Sequence, residues 1–156
     1  MKYPAVLERL LTPSRFAALG PGTPTTEVRA TLADLDVPLP CRAGLYLYFD
    51  FLDESHEISQ ELHTPEGSMW HAVMHRREPD AANSKYWWRK VGTHRVLEQL
   101  REQSPALGYA FTTPDAFVDF CEHVRDTGTP DEDLAKRVQL LEWQLLFDFC
   151  WRKGKA

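Results

Sequence analysis

From Pro130 to Lys153 the chain runs without a second proline or any glycine, and nearly every turn of that stretch carries a large apolar side chain. Advancing about 100° per residue, Leu134, Val138, Leu141, Leu145 and Phe149 form one stripe, while Leu140, Trp143, Phe147, Cys150 and Trp151 cover much of the remaining circumference. A helix apolar on most sides is not a surface helix, so this one is expected at the centre of a bundle. The same wheel sets Glu142 among Val138, Leu146 and Phe149. A carboxylate in that place is paired, bound to a cation or at the edge of the core.

Prolines and glycines divide the remainder into helical stretches that can surround it: Tyr3 to Leu11, Thr25 to Leu35, Arg42 to Leu62, Pro65 to Arg77, Ala82 to Val91, His94 to Gln103 and Pro114 to Thr127. Thr113 before Pro114, and Thr129 before Pro130, Asp131 and Glu132, are well-specified helix starts. Gly128 and Gly154 read as stops. Only Gly108 to Thr112 suggests a strand, and it is too short and isolated to build a sheet. The expectation is an all-α, single-domain bundle of seven or eight helices spanning residues 1 to 156. That length, with 43% hydrophobic residues, suits one hydrophobic core.

A formal net charge of -5 argues against a dedicated nucleic-acid binder, which needs a broad cationic surface. The three cysteines, Cys41, Cys121 and Cys150, are odd in number and widely spaced, which fits reduced thiols in a cytoplasm better than a disulfide framework. The first residues have no signal-peptide pattern, and no apolar run approaches the length of a membrane span. A cytoplasmic, non-membrane protein is expected.

Chemistry concentrates between Phe49 and His94. A single wheel through Arg42 to Leu62 puts Leu45, Phe49 and Leu52 on an apolar face, with Asp50, Glu54, Glu57 and Glu61 on a solvated one. His56 falls on the apolar stripe with Ser59 and is expected to point inward. On the next helix His71, His75 and Glu78 are spaced i, i+4, i+7 and share a face, while Met69, Trp70 and Val73 anchor other sides.

Two imidazoles one turn apart can bind a divalent transition metal, and a His or carboxylate from a neighbouring helix can complete the set. His56, Glu78 and Glu142 are the candidates for that role. With or without metal, His71 and His75 are the candidate catalytic groups, since imidazole titrates near neutrality. The pattern lacks the Glu that follows the first His in zinc metalloproteases, and no Glu-x-x-His pair recurs on two helices as in di-iron bundles. The plainer account makes both histidines surface residues flanking Trp70 or hydrogen-bond partners of Glu66 and Glu78.

Next follow Arg76, Arg77, Asn83, Lys85, Trp88 and Arg89, a mixture of cations, an amide and an aromatic ring suited to an anionic small molecule. The plainer account there is a Trp-rich helix with a solvated cationic edge. Trp87 and Trp88 cannot face the same way, so at least one belongs in the core.

The segments Asp50 to His56 (DFLDESH), Trp70 to Glu78 (WHAVMHRRE) and Asn83 to Gly92 (NSKYWWRKVG) resemble a family of uncharacterised bacterial proteins. That resemblance implies no reaction and no role for any residue. Trp70 to Val91 is also similar to one tetratricopeptide unit, a helix, a turn and a second helix. A scaffold of that kind needs about three stacked units, so the likeness describes a local helical hairpin.

Two functional expectations follow: a His-centred small-molecule or metal site doing metal-assisted or acid/base chemistry between helices, or a non-catalytic module that binds an anionic ligand or protein partner through the basic and aromatic helix. The first requires the helix carrying His56 to lie against the face carrying His71.

Overall fold

The computed structural model describes residues 2–155, which form nine α-helices and two short 3-10 turns, with no strand among them. The helices are α1 (Ala5–Leu10), α2 (Arg29–Asp34), α3 (Leu39–Tyr48), α4 (Leu52–Ser59), α5 (Pro65–Arg77), α6 (Ala81–Val91), α7 (Arg95–Gln103), α8 (Pro114–Val124) and α9 (Pro130–Lys155). The 3-10 turns are Thr26–Val28, which takes the first part of the helix expected from Thr25, and Ser104–Leu107. The fold is an all-α bundle. None of the described helices is long and apolar enough to cross a membrane.

The stretch from Arg42 to Leu62 is two helices and not one. Asp50 adopts φ 70°, in the left-handed region that an aspartate tolerates better than most residues. The chain reverses there, and α4 packs back on α3. A wheel drawn through the break therefore mixes two axes, and the expected solvated row does not exist as one face. Asp50 is buried between Arg15 and Arg77 at 2.9 and 2.5 Å, whereas Glu57 and Glu61 are exposed.

Two hairpins follow the same design. α4 lies between α3 and α5, and α6 lies against α5 and α8. A buried serine makes each close approach possible: Ser55 donates to the Ala43 carbonyl at 2.8 Å, and Ser84 to the Ala72 carbonyl at 2.7 Å. Both hydroxyls bond a backbone carbonyl of the facing helix, so neither serine is buried without a partner. At the crossing of α3 and α5, Gly44 faces the fully buried Trp70; a Cβ there would stand 2.6 Å from the indole ring.

α9 packs against α3, α7 and α8. Its deepest residues are Ala135, Val138, Glu142, Leu146 and Phe147, flanked by Gln139, Trp143 and Cys150. Leu134, Leu141, Leu145 and Phe149 are half-buried, so the stripe expected to be central forms a flank of the contact. Gly154 does not stop the helix, which continues through Lys155; it leaves space for Pro38 instead. α8 ends at Val124, before the expected Thr127, where Arg125 leaves the helical region and Asp126 turns to φ 61°.

Candidate metal centre

α5 is fixed at its start by Thr64, whose hydroxyl accepts from the Gly67 amide at 3.1 Å, and by Pro65 in the first turn. It is a short helix wrapped on nearly every side, and all its residues from Met69 to Arg77 are buried. Of its polar residues, His71 and His75 turn toward α4 and α6, while Arg76 and Arg77 turn into the interior on other sides.

The reversal at Asp50 brings α4 alongside α5 and places His56 against the two α5 histidines. Ring centroids lie 4.7 Å apart for His56 and His71, 5.2 Å for His56 and His75, and 4.7 Å for His71 and His75. One nitrogen from each ring lies within 4.8 Å of the others. On the far side of His71, Trp87 of α6 stacks nearly parallel to it, at 3.8 Å and 17°.

The three rings differ in their surroundings. His75 Nδ1 is 2.8 Å from Glu78 Oε1; the carboxylate accepts the Nδ1 proton, which leaves the lone pair on Nε2. His71 is 4% exposed and its Nδ1 has no hydrogen-bond partner. Burial pushes the His71 pKa down to about 4, and the neighbouring His75 and His56 push the same way. A buried ring that stays neutral keeps a lone pair available. His56 is half-buried at the mouth.

Not every expected ligand joins this group. Glu142 sits on α9, and both of its oxygens are held by the Arg76 guanidinium at 2.7 and 2.9 Å, with Gln139 accepting from the same group at 3.1 Å. It is the paired carboxylate that its place on the wheel allowed, and it is no ligand to the histidines. Glu78 reaches His75 and holds it in place.

Of the expected anion-binding set, Arg76, Arg77 and Trp88 turn inward, while Asn83 and Lys85 are half-buried and Arg89 is exposed. Arg76 is fully buried on Glu142, and Arg77 is spent on Asp50 and on the carbonyls of Leu47, Gly20 and Pro21. Trp88 is 3% exposed and packs with Ser84 and Val91 in the stripe by which α6 meets the core. Lys85 and Arg89 reach Asp119 and Asp115 of α8, at 2.6 and 3.7 Å. Asn83 is half-buried in the first turn of α6. Arg76 and Arg77 are committed to ion pairs inside the fold, because arginines buried without an anion would be too costly to keep, whereas the Lys85 and Arg89 pairs lie at the surface.

Two residues beyond the expected set belong to the site. Trp87, not Trp88, stacks on His71; the wheel of α6 separates the two, since Ser84, Trp88 and Val91 are spaced i, i+4, i+7 and form its buried face. Asp80 caps α6 through the Asn83 amide at 3.2 Å, and its own amide donates to the His75 carbonyl at 2.7 Å, which folds the turn after Glu78 back onto His75. His75, Glu78 and Asp80 thereby form a second group of donor atoms within 4.8 Å of one another.

No protein-family model, curated protein or solved structure matches the chain.

Proposed function

We propose that the chain is a metal-dependent protein in which His56, His71 and His75 hold one divalent transition-metal ion and a coordinated water completes the set, giving metal-assisted hydrolytic chemistry. The observation that carries this reading is the convergence of three imidazoles from two helices, one ring nitrogen of each within 4.8 Å of the others, on a buried His71 whose Nδ1 has no partner. A neutral imidazole left without a partner in a protein interior loses a hydrogen bond and gains nothing in return. A metal ion gives it one.

The chemistry of the donors supports the same reading. Three nitrogen ligands with a fourth, open position describe a catalytic zinc-type site, and ligand nitrogens about 2.0–2.1 Å from the ion are then about 3.3 Å apart. The nitrogens, within 4.8 Å of one another, are near that spacing before any ion is bound. Glu78 on Nδ1 of His75 fixes the tautomer and raises the basicity of a ligating ring, as outer carboxylates do in metal sites. A bound water acidified to a pKa near 7 supplies hydroxide at neutral pH. Acid/base chemistry without metal would use His75 and Glu78 alone, and would leave the approach of His56 and His71 without a purpose.

A small-molecule substrate agrees with the acidic net charge and with the internal commitment of Arg76, Arg77 and Trp88. Three free, buried thiols agree with a reducing cytoplasm. The test is titration of metal-free protein with Co(II) and Zn(II), followed by calorimetry and by the visible absorption of tetrahedral Co(II). One ion per chain is expected, lost in His56→Ala and in His71→Ala and retained in His63→Ala, an exposed histidine outside the group. Circular dichroism verifies that each variant remains helical. Wild-type protein that takes up neither ion would refute the reading.

A further inference from the structure

His75 belongs to two donor groups at once: one with His56 and His71 on the buried side, the other with Glu78 and Asp80 on the exposed side. We propose that the second group is a capture site, which takes a divalent cation from solvent and passes it through the shared His75 ring to the three-histidine group. The inference rests on the metal reading above and adds the path by which the ion arrives.

The two groups face different surroundings. His71, at the back of the cluster, is walled by Trp87 and has its unpartnered nitrogen out of contact with water. A hydrated dication does not shed its shell readily in such a place. Glu78 and Asp80 are exposed and anionic, and an open cleft of about 310 Å³ adjoins them, lined by Asp53, Glu78 and a Glu54 that is paired with Arg29 at 2.6 Å. A cleft walled by carboxylates raises the local concentration of cations and speeds their encounter. Oxygen donors suit an ion that still carries water, whereas imidazoles suit a partly dehydrated transition-metal ion.

The ring chemistry allows the transfer without net gain or loss of protons. Neutral imidazole has one proton and one lone pair on its two ring nitrogens. With the proton on Nε2, Nδ1 can bind an ion held by Glu78 and Asp80. With the proton on Nδ1, where Glu78 Oε1 lies 2.8 Å away to accept it, Nε2 serves the inner group. Moving the ion inward exchanges one tautomer for the other. Because one neutral ring offers one lone pair, the groups are alternatives, and the chain holds a single ion.

Stopped-flow mixing of metal-free protein with Co(II) tests this. The informative variant is Asp80→Asn, because asparagine still caps α6 and leaves the contact between His75 and Glu78 in place. Association should slow about threefold to tenfold at low salt, with the affinity and the one-ion stoichiometry unchanged, so that dissociation along the same path slows by the same factor, and added salt should narrow the gap. Glu57→Gln, which removes an exposed carboxylate of α4 outside both groups, should associate at the wild-type rate. One ion bound at equal rates in wild type and Asp80→Asn would overturn the capture site and leave the metal reading intact. Two ions per wild-type chain would overturn the transfer, since the groups would then be filled together. No ion bound to wild type would overturn the metal reading itself.

Discussion

Two side chains of similar charge on neighbouring elements, Glu78 and Glu142, have opposite duties. Glu78 stands in water with one oxygen on His75, so its removal should weaken metal binding and leave the fold alone. Glu78→Ala is expected to lower affinity for Zn(II) about 10- to 100-fold by calorimetry. Glu142 lies in the core against Arg76 with both oxygens engaged. Arg76→Met leaves that carboxylate buried without a cation and should cost about 3–5 kcal/mol in urea unfolding. The double variant Arg76→Met/Glu142→Leu should recover most of the loss and still bind metal, because an apolar pair of similar volume carries no desolvation penalty.

At the scale of elements, side chains that close helix starts decide which segments can present the site. Thr64, Asp80, His94 and Thr113 each accept a backbone amide at the start of a helix, at 3.1, 3.2, 3.1 and 3.1 Å. α8, capped by Thr113, carries Asp115 and Asp119, which hold Arg89 and Lys85 of α6 and so steady the helix that brings Trp87 to His71. Thr113→Ala should destabilise the protein by about 1 kcal/mol, read as a lowered melting temperature. The opposite device acts at Asp50, where a left-handed residue ends one helix and lets α4 turn back. Without that break His56 would continue along the axis of α3 and never meet α5.

Across the whole molecule, α5, the start of α7 and the end of α9 are tied by one carboxylate. Glu66 accepts from His94 Nε2 at 2.8 Å and pairs with Lys153 at 2.6 Å, and His94 Nδ1 accepts from the Val96 amide. The hydrogen bond from His94, with the Lys153 ammonium adding to it against the opposing effect of burial, holds the Glu66 carboxyl below its ordinary value of 4.5. A carboxyl depressed in the folded state releases its proton more readily there than when unfolded. Its contribution is therefore complete above about pH 4.5 and is lost as pH falls through the lower, folded value. Urea midpoints measured from pH 6 down to pH 3 should decline in wild type and decline less steeply in Glu66→Gln.

Much of this protein is determined by sequence alone. The all-α class, most helix starts and the shared face of His71, His75 and Glu78 follow from 3.6-residue periodicity, from proline and glycine placement and from local capping, all of which act within a few residues. The inward direction of His56 was legible too, although the wheel that gave it ran through a break it did not reveal. Tertiary structure alone decided where the buried charges went. Arg76, Arg77 and Trp88 look like a binding surface in one dimension, and they became core because Glu142 and Asp50, distant in sequence, arrive beside the two arginines while Ser84 and Val91 carry Trp88 inward. It also chose Trp87 over Trp88 for the cleft and returned Asp80 to His75. Ion pairs between distant segments depend on how helices pack in space, and periodicity within one helix holds no record of its partner.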